Sequence, residues 1–530
     1  MQIWSAAKSS LSHRLSRLIS KISAPRRPNK RWIIATVLTT VAILMTIAVL
    51  NGEQPREDEN RMYFANPSGV SQTFSTMHNA FDPRGPFFQS MGTNGRSCST
   101  CHQPSDGMSI APASIQQRFR YTRGQDPLFR TVDGSNCNHN IDVSTREGMQ
   151  AAYSLLLTRG LIRVAVAVPP TADYKVVTVN NPYGCSETNV ISQYRRPLPS
   201  TNLRFLSSVM FDGRESSPAT GTTKILFANY PTALQSDLAH QSVSATTTHA
   251  EGDGARPTAA EQQQIVNFEM SLFTAQILDF KAGRLDVYGA NGGPMALVNQ
   301  PFFISANSSV HFLLPQLELP GGLNTPGDNL FTSAIFNLYD GWDNTPAISP
   351  RAAIARGQAI FASKPINITD VAGINDDVAA GGLVAGGIPA LQGTCGTCHD
   401  TPNVGNHSFP TPLDIGTGDP NASDPSINLG GLDVSYLSSI TVCKLDPSTN
   451  LPTSNCKTTT DLGQALIDGR FDHVAKIKGP ILRGLASRAP YFHNGSAQSL
   501  LDAVHFYETR FGLVLTPQEE SDLVAFLKTL

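Results

Sequence analysis

The chain has 530 residues, of which 40% are hydrophobic, and this is long enough for two or three hydrophobic cores of ordinary domain size. The first 52 residues contain eight Lys and Arg but no Asp or Glu, so the remainder holds 32 basic against 42 acidic residues. This acidic excess argues against nucleic acid as a partner.

The chain begins with a basic segment, residues 1–31, followed by a run without charge at 32–50. A run of this length is sufficient to cross the hydrocarbon core of a bilayer as a helix. Basic residues stay on the cytoplasmic side, so we expect the following chain to be periplasmic and anchored in the inner membrane. A cleaved signal peptide is the alternative, although no small-x-small cleavage site follows Leu50. Residues 51–61 are then a polar tether.

In chain order, residues 62 to about 130 are rich in Gly, Pro and Ser, and they predict loops with short helices. β-Branched runs at 161–168 and 174–179 predict a hairpin-like β insertion at about 161–179. Thr258, with Glu261 three residues later, predicts the start of a helix over 258–281.

The last third of the chain has clearer helix signals. Residues 344–350 indicate a linker, and a helix is expected from about 350 to 362. Short helices are expected around 462–467 and 500–507, and Thr516 opens the last helix. Taken together, the patterns predict a mainly α fold with much irregular structure.

Eight cysteines divide into two groups, four in paired motifs and four elsewhere. An even remainder in an exported chain predicts two disulfides. We expect each of these cysteines to pair with its nearest neighbour in sequence, Cys137 with Cys185 and Cys443 with Cys456, although the sequence does not show the geometry that a disulfide requires.

Two Cys-x-x-Cys-His motifs, at 98–102 and 395–399, predict the chemistry of the chain. This spacing is that of c-type haem attachment, in which two thiols add to the vinyl groups of one porphyrin and the adjacent His reaches the iron. One motif alone could also be a zinc half-site or a redox dithiol. Two motifs that both end in His predict two covalently bound haem c groups. The residues concerned are Cys98, Cys101, His102, Cys395, Cys398 and His399.

The sequence resembles the bacterial di-haem cytochrome c peroxidase family, which includes MauG-type enzymes. The resemblance covers most of 85–280 and 350–530, and its most specific block is KGPILRGLASRAPYFHNGS at 478–496. It implies two cytochrome c-like haem domains, at 62–343 with the peroxide site and at 344–530 for electron transfer. Further blocks are NGRSCSTCHQPSDGMS, MFDGRE, ARGQAIF and GTCGTCHDTPNVGNHSF.

For the C-terminal haem, the resemblance implies His399 as the proximal ligand and places Tyr507 where other family peroxidases have a Met. Every Met of this chain lies at or before Met295. Tyr at this place is the MauG-like pattern, and an anionic phenolate lowers the potential of a haem relative to Met. Alternatively, Tyr507 is an ordinary buried aromatic, and the ligand is a histidine: His407, His493 or His505.

For the N-terminal haem, the resemblance implies His102 as the proximal ligand. Family members that require reductive activation carry a later loop His, and this chain has Arg118 at that place. We therefore expect an open sixth position that accepts peroxide without a reductive switch.

Cleavage of the O–O bond requires a base that moves a proton between the two oxygens. The segment Leu238-Ala-His-Gln241 resembles the distal element of the family, and Glu251 stands ten residues later, where the family has its catalytic Glu. His249 is a competing base. Alternatively, His240, His249 and Glu251 are surface residues of a loop.

Two further positions carry over from the family. Arg214 and Arg483 match arginines near the haem propionates, where a guanidinium neutralises a carboxylate. A Trp usually lies between the haems, and its place is taken here by Phe211, which is harder to oxidise.

A calcium ion between the domains is another family feature. It would use the backbone carbonyls near Arg488 and Pro490 and an Asn side chain, for which Asn136 is a candidate; ligation by oxygen alone suits calcium.

The resemblance implies an oxidoreductase that reduces hydrogen peroxide with electrons from a small periplasmic donor, a cytochrome c or a cupredoxin. A MauG-like oxidation of a protein or organic substrate is the second interpretation, which Tyr507 favours and Phe211 disfavours. The third is a non-enzymatic electron carrier, tethered by the N-terminal transmembrane helix, with two six-coordinate haems.

Overall fold

Helices and strands are mixed along the chain in the computed structural model, which describes residues 59–206, 208–216, 232–300, 334–377, 386–407, 412–419 and 432–530. Of these residues 32% are helical and 18% lie in strands of four sheets. The expected mainly α fold is therefore wrong. Apart from β3 and β4, which fall on the predicted β-branched runs, the strands form from segments for which the sequence predicted no strand.

The helices of the described residues are α1 Pro112–Thr122, α2 Arg146–Ala152, α3 Ser154–Arg159, α4 Thr232–His249, α5 Ala259–Ser271, α6 Met295–Val298, α7 Pro350–Ser363, α8 Cys395–Cys398, α9 Ala465–Asp468, α10 Leu500–Phe511 and α11 Pro517–Leu527. The strands are β1 Arg61–Asn66, β2 Gly69–Ser75, β3 Ile162–Ala167, β4 Tyr174–Asn180, β5 Val190–Arg195, β6 Leu272–Asp279, β7 Gly283–Arg284, β8 Ile366–Ile368, β9 Leu391–Gly393, β10 Ser439–Leu445 and β11 Pro452–Thr459.

The helix predicted over 258–281 forms in its first half only. The Thr258 hydroxyl accepts a hydrogen bond from the Glu261 amide, and the Glu261 carboxylate accepts one from the Thr258 amide. The predicted start of the helix is therefore confirmed. The helix α5 ends at Ser271, and the chain continues as strand β6, which pairs antiparallel with β2. Pairing with a distant strand overrides the local helical pattern here, because it satisfies the backbone of an apolar segment in the core.

The two strands of the predicted β insertion exist, but they do not pair with each other. Strand β3 pairs with β5, and β4 pairs with β10, which lies more than 250 residues later in sequence. The predicted hairpin at 161–179 is therefore wrong in its pairing. Pro169 and Pro170 lie between the strands, and this pair cannot adopt the two-residue turns with positive φ that close tight hairpins.

The helices predicted for the end of the chain are confirmed. Helix α7 matches the expectation for 350–362, and α10 begins at the expected place and runs one turn longer. Thr516 caps α11 together with Glu519. The helix expected around 462–467 is the short α9.

Both expected disulfides, Cys137–Cys185 and Cys443–Cys456, are present. The second joins residues that are directly opposite each other on β10 and β11. A disulfide at this position fixes the register of the two strands.

In the part of the chain that the structure describes, no helix is both long and apolar enough to cross a membrane. The expected span at 32–50 lies outside that part, as do the basic segment 1–31 and most of the tether 51–61.

A buried ion cluster joins the two halves of residues 59–530, which form one compact unit. Arg195, at the end of β5, binds both oxygens of Asp461 at 2.6 and 2.7 Å and also binds Asp212. All three side chains are at most 3% exposed. Burial alone would raise the pKa of Asp212, but the charges of Arg214 and Arg195 lower it to about 2, so the carboxylate stays ionised.

Replacing Arg195 with Met should lower the free energy of unfolding by about 3–5 kcal/mol, because Asp212 and Asp461 lose the cation that they share inside the protein. Chemical denaturation measures this difference. The control Arg284→Met removes a surface ion pair with Asp286 and should cost about 1 kcal/mol or less. Equal losses for the two variants would show that the cluster does not stabilise the fold.

Candidate functional site

The first cysteine motif forms a short 3-10 turn, Cys98–Thr100, on the wall of a cavity. Ser97 caps the turn, and its amide donates to the Thr100 hydroxyl at 2.9 Å. Cys98, Cys101 and His102 line this space, which we call the N-terminal cavity. His102 donates from Nδ1 to the Met108 carbonyl at 3.1 Å, so Nε2 is the nitrogen that would ligate a metal.

The second motif repeats the same local structure. Helix α8 is capped by Thr394, whose amide donates to the Thr397 hydroxyl at 2.9 Å. His399 donates from Nδ1 to the Gly405 carbonyl at 2.8 Å. Cys395, Cys398 and His399 line a second space, the C-terminal cavity, whose walls are mostly apolar.

The residues around both cavities fit a haem better than a metal ion. The four motif cysteines are free, and their side chains face the cavities beside the motif histidines. Within the described ranges, neither motif gathers its Cys and His ligand atoms into a cluster that could hold an ion, which disfavours zinc. A flat, largely apolar macrocycle that is attached at two thiols and ligated by the next His suits such a wall.

Buried guanidinium groups provide the charge that haem propionates require. Arg196 lines both cavities and Arg488 lines the C-terminal one, and among the described residues neither is paired with a carboxylate. The Nε atom of Arg488 has no hydrogen-bond partner there. Burial lowers the pKa of Arg196 to about 9 and that of Arg488 to about 10, and a bound carboxylate would relieve both.

The two cavities share one wall. Residues 196–198 and the ring of Phe211 line both of them. The Phe211 ring lies 6.0 Å, centre to centre, from the ring of His493, which lines the C-terminal cavity. The residue that the resemblance puts between the haems therefore lies between the cavities.

Tyr507 faces the motif histidine of the C-terminal cavity. Its hydroxyl lies 3.5 Å from Nε2 of His399. His399 and Tyr507 are therefore the two side chains that would hold a metal in this cavity. Burial raises the pKa of Tyr507, so the phenol is neutral when no cation is beside it.

The three alternative histidines differ in their surroundings, and the ring nitrogens of buried His493 have no hydrogen-bond partner among the described residues. His407 lines the C-terminal cavity, but its Nε2 accepts a hydrogen bond from the Gly479 amide. His493 also lines the cavity, with Asp461 3.8 Å from its Nε2. His505 is 45% exposed and lies beside Glu520.

The distal side of the N-terminal cavity contains a charge-relay arrangement around His249, the last residue of α4. Its Nδ1 contacts the carboxylate of Asp133, and Arg96 binds the same carboxylate. Burial alone would raise the pKa of Asp133, but His249 and Arg96 lower it. All three side chains line the cavity, as does Gln241. The carboxylate therefore orients the imidazole toward the space beside the motif.

Glu251 is placed differently from His249. It is exposed, its side chain accepts a hydrogen bond from Asn94 at 3.0 Å, and it does not line the N-terminal cavity. Of the two candidate bases, the structure favours His249.

The two predicted arginines are placed in different surroundings. Arg214 lines the N-terminal cavity and binds Asp212 at 2.9 Å. Arg483 is buried and donates to the Gly293 carbonyl at 3.2 Å, but it lines neither cavity. Arg118 donates to the Thr100 carbonyl at 2.6 Å, and so it holds the backbone of the first motif in place.

Two of the groups predicted to bind calcium make other hydrogen bonds in the structure. The Asn136 side chain accepts from the Leu155 amide and donates to Ser154. The Arg488 carbonyl accepts from the guanidinium of Arg196 at 2.9 Å, and a cation beside a carbonyl repels another. Pro490 lines the C-terminal cavity instead. Calcium stays a prediction without further support.

Sequence reasoning missed Asp133, Arg196 and Glu269, which all line the N-terminal cavity. Glu269 could have been found from the sequence, because it is a charged residue next to Phe268 on the apolar face of the helix predicted over 258–281. Asp133 lies 116 residues before His249, and no sequence pattern indicates a contact across that distance.

No protein-family model matches the chain, and no curated protein matches it.

Proposed function

We propose that the chain is a di-haem c-type cytochrome that reduces hydrogen peroxide, with the peroxide site in the N-terminal cavity and an electron-transfer site in the C-terminal one. The observation that carries this proposal is the pair of cavities, each lined by two cysteines and a histidine of one motif and separated by Phe211. Two such sites with one shared wall are suited to electron transfer between them.

The surroundings of the two motif histidines support this division of labour. In the C-terminal cavity Tyr507 faces His399, and a second protein ligand leaves no position for peroxide. In the N-terminal cavity the distal side has polar groups that hydrogen-bond and move protons, Gln241 and His249. Peroxide bound there would meet a base rather than a competing ligand.

A bound haem would supply the iron that holds peroxide and the electrons that cleave its O–O bond. Nε2 of His249 takes the proton from one peroxide oxygen and returns it to the other oxygen, which leaves as water. Asp133 stabilises the imidazolium that forms meanwhile, and Arg96 holds the carboxylate in place. Gln241 positions the peroxide by hydrogen bonding. A small one-electron carrier protein, a cytochrome c or a cupredoxin, would supply the electrons.

An oxidising compartment fits this function. The two disulfides are expected in an exported protein, and haem c chemistry of this kind suits the periplasm.

One observation favours a second candidate, the MauG-like oxidation of a protein or organic substrate. Tyr507 is the group that faces His399, and an anionic oxygen ligand stabilises oxidised iron. Peroxide turnover without an added reductant, but with oxidation of an added aromatic compound, would distinguish this reaction from peroxide reduction.

Replacing Cys98 and Cys101 by Ala should remove one of two covalent haems, because the thioether bonds can no longer form. Replacing Cys395 and Cys398 should remove the other. The pyridine haemochrome assay on purified protein counts the haems. As a control, the loss of the Cys443–Cys456 disulfide by double Ala substitution should leave both in place. An unchanged count in the first two variants would refute haem attachment.

Replacing His249 with Gln should slow the peroxide-dependent step by roughly 10²-fold or more, because the amide cannot accept the proton. Stopped-flow mixing with peroxide measures the rate. Glu251→Gln is the matched control, and its effect should be small, since this side chain lies outside the cavity. The reverse result, with a large loss for Glu251→Gln alone, would assign the base to Glu251.

Replacing Tyr507 with Phe should convert the low-spin ferric signal of one haem to high-spin or to a new ligand set, and raise its reduction potential, because an anionic donor is lost. Magnetic resonance and redox titration test both points. Tyr491→Phe is the control: Tyr491 lines the same cavity, but its hydroxyl donates to the Leu485 carbonyl. A spectrum and potential unchanged in Tyr507→Phe would refute the ligation.

A further inference from the structure

Glu269 is a buried carboxyl group that the proposed mechanism does not use. It lies on helix α5, is 5% exposed, and has an Oε2 atom without a hydrogen-bond partner among the described residues. Burial raises its pKa to about 8, so the group is mostly protonated at neutral pH. A buried acid without a partner is costly to keep, and such groups are concentrated at functional sites.

Glu269 faces two spaces at once. It lines the N-terminal cavity, and it lines a smaller adjoining one together with Ser200, Gln241 and Lys478. The charged and titratable groups that line these two spaces are Arg96, Cys98, Cys101, His102, Asp133, Arg195, Arg196, Arg214, His249 and Lys478.

The smaller cavity is suitable for water. Its volume is about 60 Å³, and one water molecule requires roughly 10–15 Å³ of such space, so a short chain of waters fits. Water also requires polar partners, and the hydroxyl of Ser200 and Oε2 of Glu269 are both without one in the described residues. Lys478 adds a third polar group, since its Nζ donates to the Ser208 carbonyl at 2.8 Å. A line of waters can therefore connect Lys478 to Glu269.

We propose that Glu269 is a proton-relay residue, which delivers protons from the smaller cavity to the peroxide site. The inference rests on the proposed function. Reduction of one peroxide breaks the O–O bond and consumes two protons and two electrons to give two waters. The electrons come from the one-electron carrier, and His249 only moves a proton that peroxide already has. The protons consumed must enter from outside: Glu269 gives its own to the oxygen that remains after O–O cleavage, is reprotonated through the smaller cavity and gives a second proton, so that this oxygen also leaves as water.

The first test measures the proton on Glu269 without any turnover. In the haem-loaded protein, infrared absorption followed over pH should show a protonated-carboxyl band that disappears as the pH rises past about 8. Glu269→Gln should lack this band, and Glu269→Asp should retain it at a shifted position. The control Asp237→Asn removes another half-buried acid with a raised pKa, which lines neither space, and should leave the band unchanged.

The second test measures the rate of steady-state peroxide reduction, with the electron donor present, in the same variants. Glu269→Gln should slow it at least tenfold with both haems still bound, and Glu269→Asp should recover part of the rate. Asp237→Asn should react like the wild type.

The outcomes separate this inference from the proposed function. A band that persists in Glu269→Gln, or a rate unaffected by this substitution, overturns the relay while peroxide reduction stands. A wild-type protein that carries two haems but does not react with peroxide overturns the proposed function, and the relay with it.

Discussion

The arrangement of both cavities depends on one buried guanidinium, that of Arg195. It bridges Asp212 and Asp461, which lie on opposite sides of the predicted domain boundary at 343–344. Removing three charges from water is costly, so the cluster is a weak source of net stability but a strong constraint on geometry, because each partner is satisfied in only one arrangement. Phe211 precedes Asp212, and Arg196 follows Arg195. The cluster therefore fixes the two segments that form the wall between the cavities.

In the proposed function, the same motif would serve different chemistry in the two cavities because different residues face it. Both motif turns are capped by a hydroxyl residue, and both histidines donate from Nδ1 to a backbone carbonyl. The difference comes from elements distant in sequence. Helix α10 brings Tyr507 to His399, whereas the C-terminal end of α4 brings His249 to the N-terminal cavity. Under the proposed function, a single attachment chemistry would thus be adapted to electron transfer in one cavity and to peroxide in the other.

How much the sequence could predict depended on the range of the interactions. Thr258 with Glu261 and Thr516 with Glu519 are local capping boxes, and the sequence located both helix starts. The end of α5 could not be predicted, since β6 exists only because β2 lies beside it. The mainly α expectation failed in part for the same reason, because β2 pairs with β6 and β4 pairs with β10 across long stretches of sequence.

In the candidate site, too, contacts between residues distant in sequence could not be predicted. The cysteine motifs are contiguous, so their residues could be found by spacing alone. The preference between Glu251 and His249 depended on which side chain reaches the cavity, and that is set by the contact between His249 and Asp133. Alignment by spacing favoured Glu251, yet the helix α4 ends at His249 and turns Glu251 outward.

In the proposed function, Lys478 would link the electron route to the proton route. Its backbone amide donates to the Phe211 carbonyl at 2.7 Å, and its Nζ donates to the Ser208 carbonyl, so one residue holds both ends of the loop that separates the cavities. It also lines the C-terminal cavity and the smaller cavity of Glu269. Burial lowers the pKa of Lys478 to about 7, so its charge is easily lost or gained near neutral pH. Under the proposed function, an electron that arrived in the C-terminal cavity would favour the charged amine, and its onward transfer would favour release of that proton toward Glu269. Electrons and protons would then reach the peroxide site across the same wall, and proton delivery would be coupled to electron transfer.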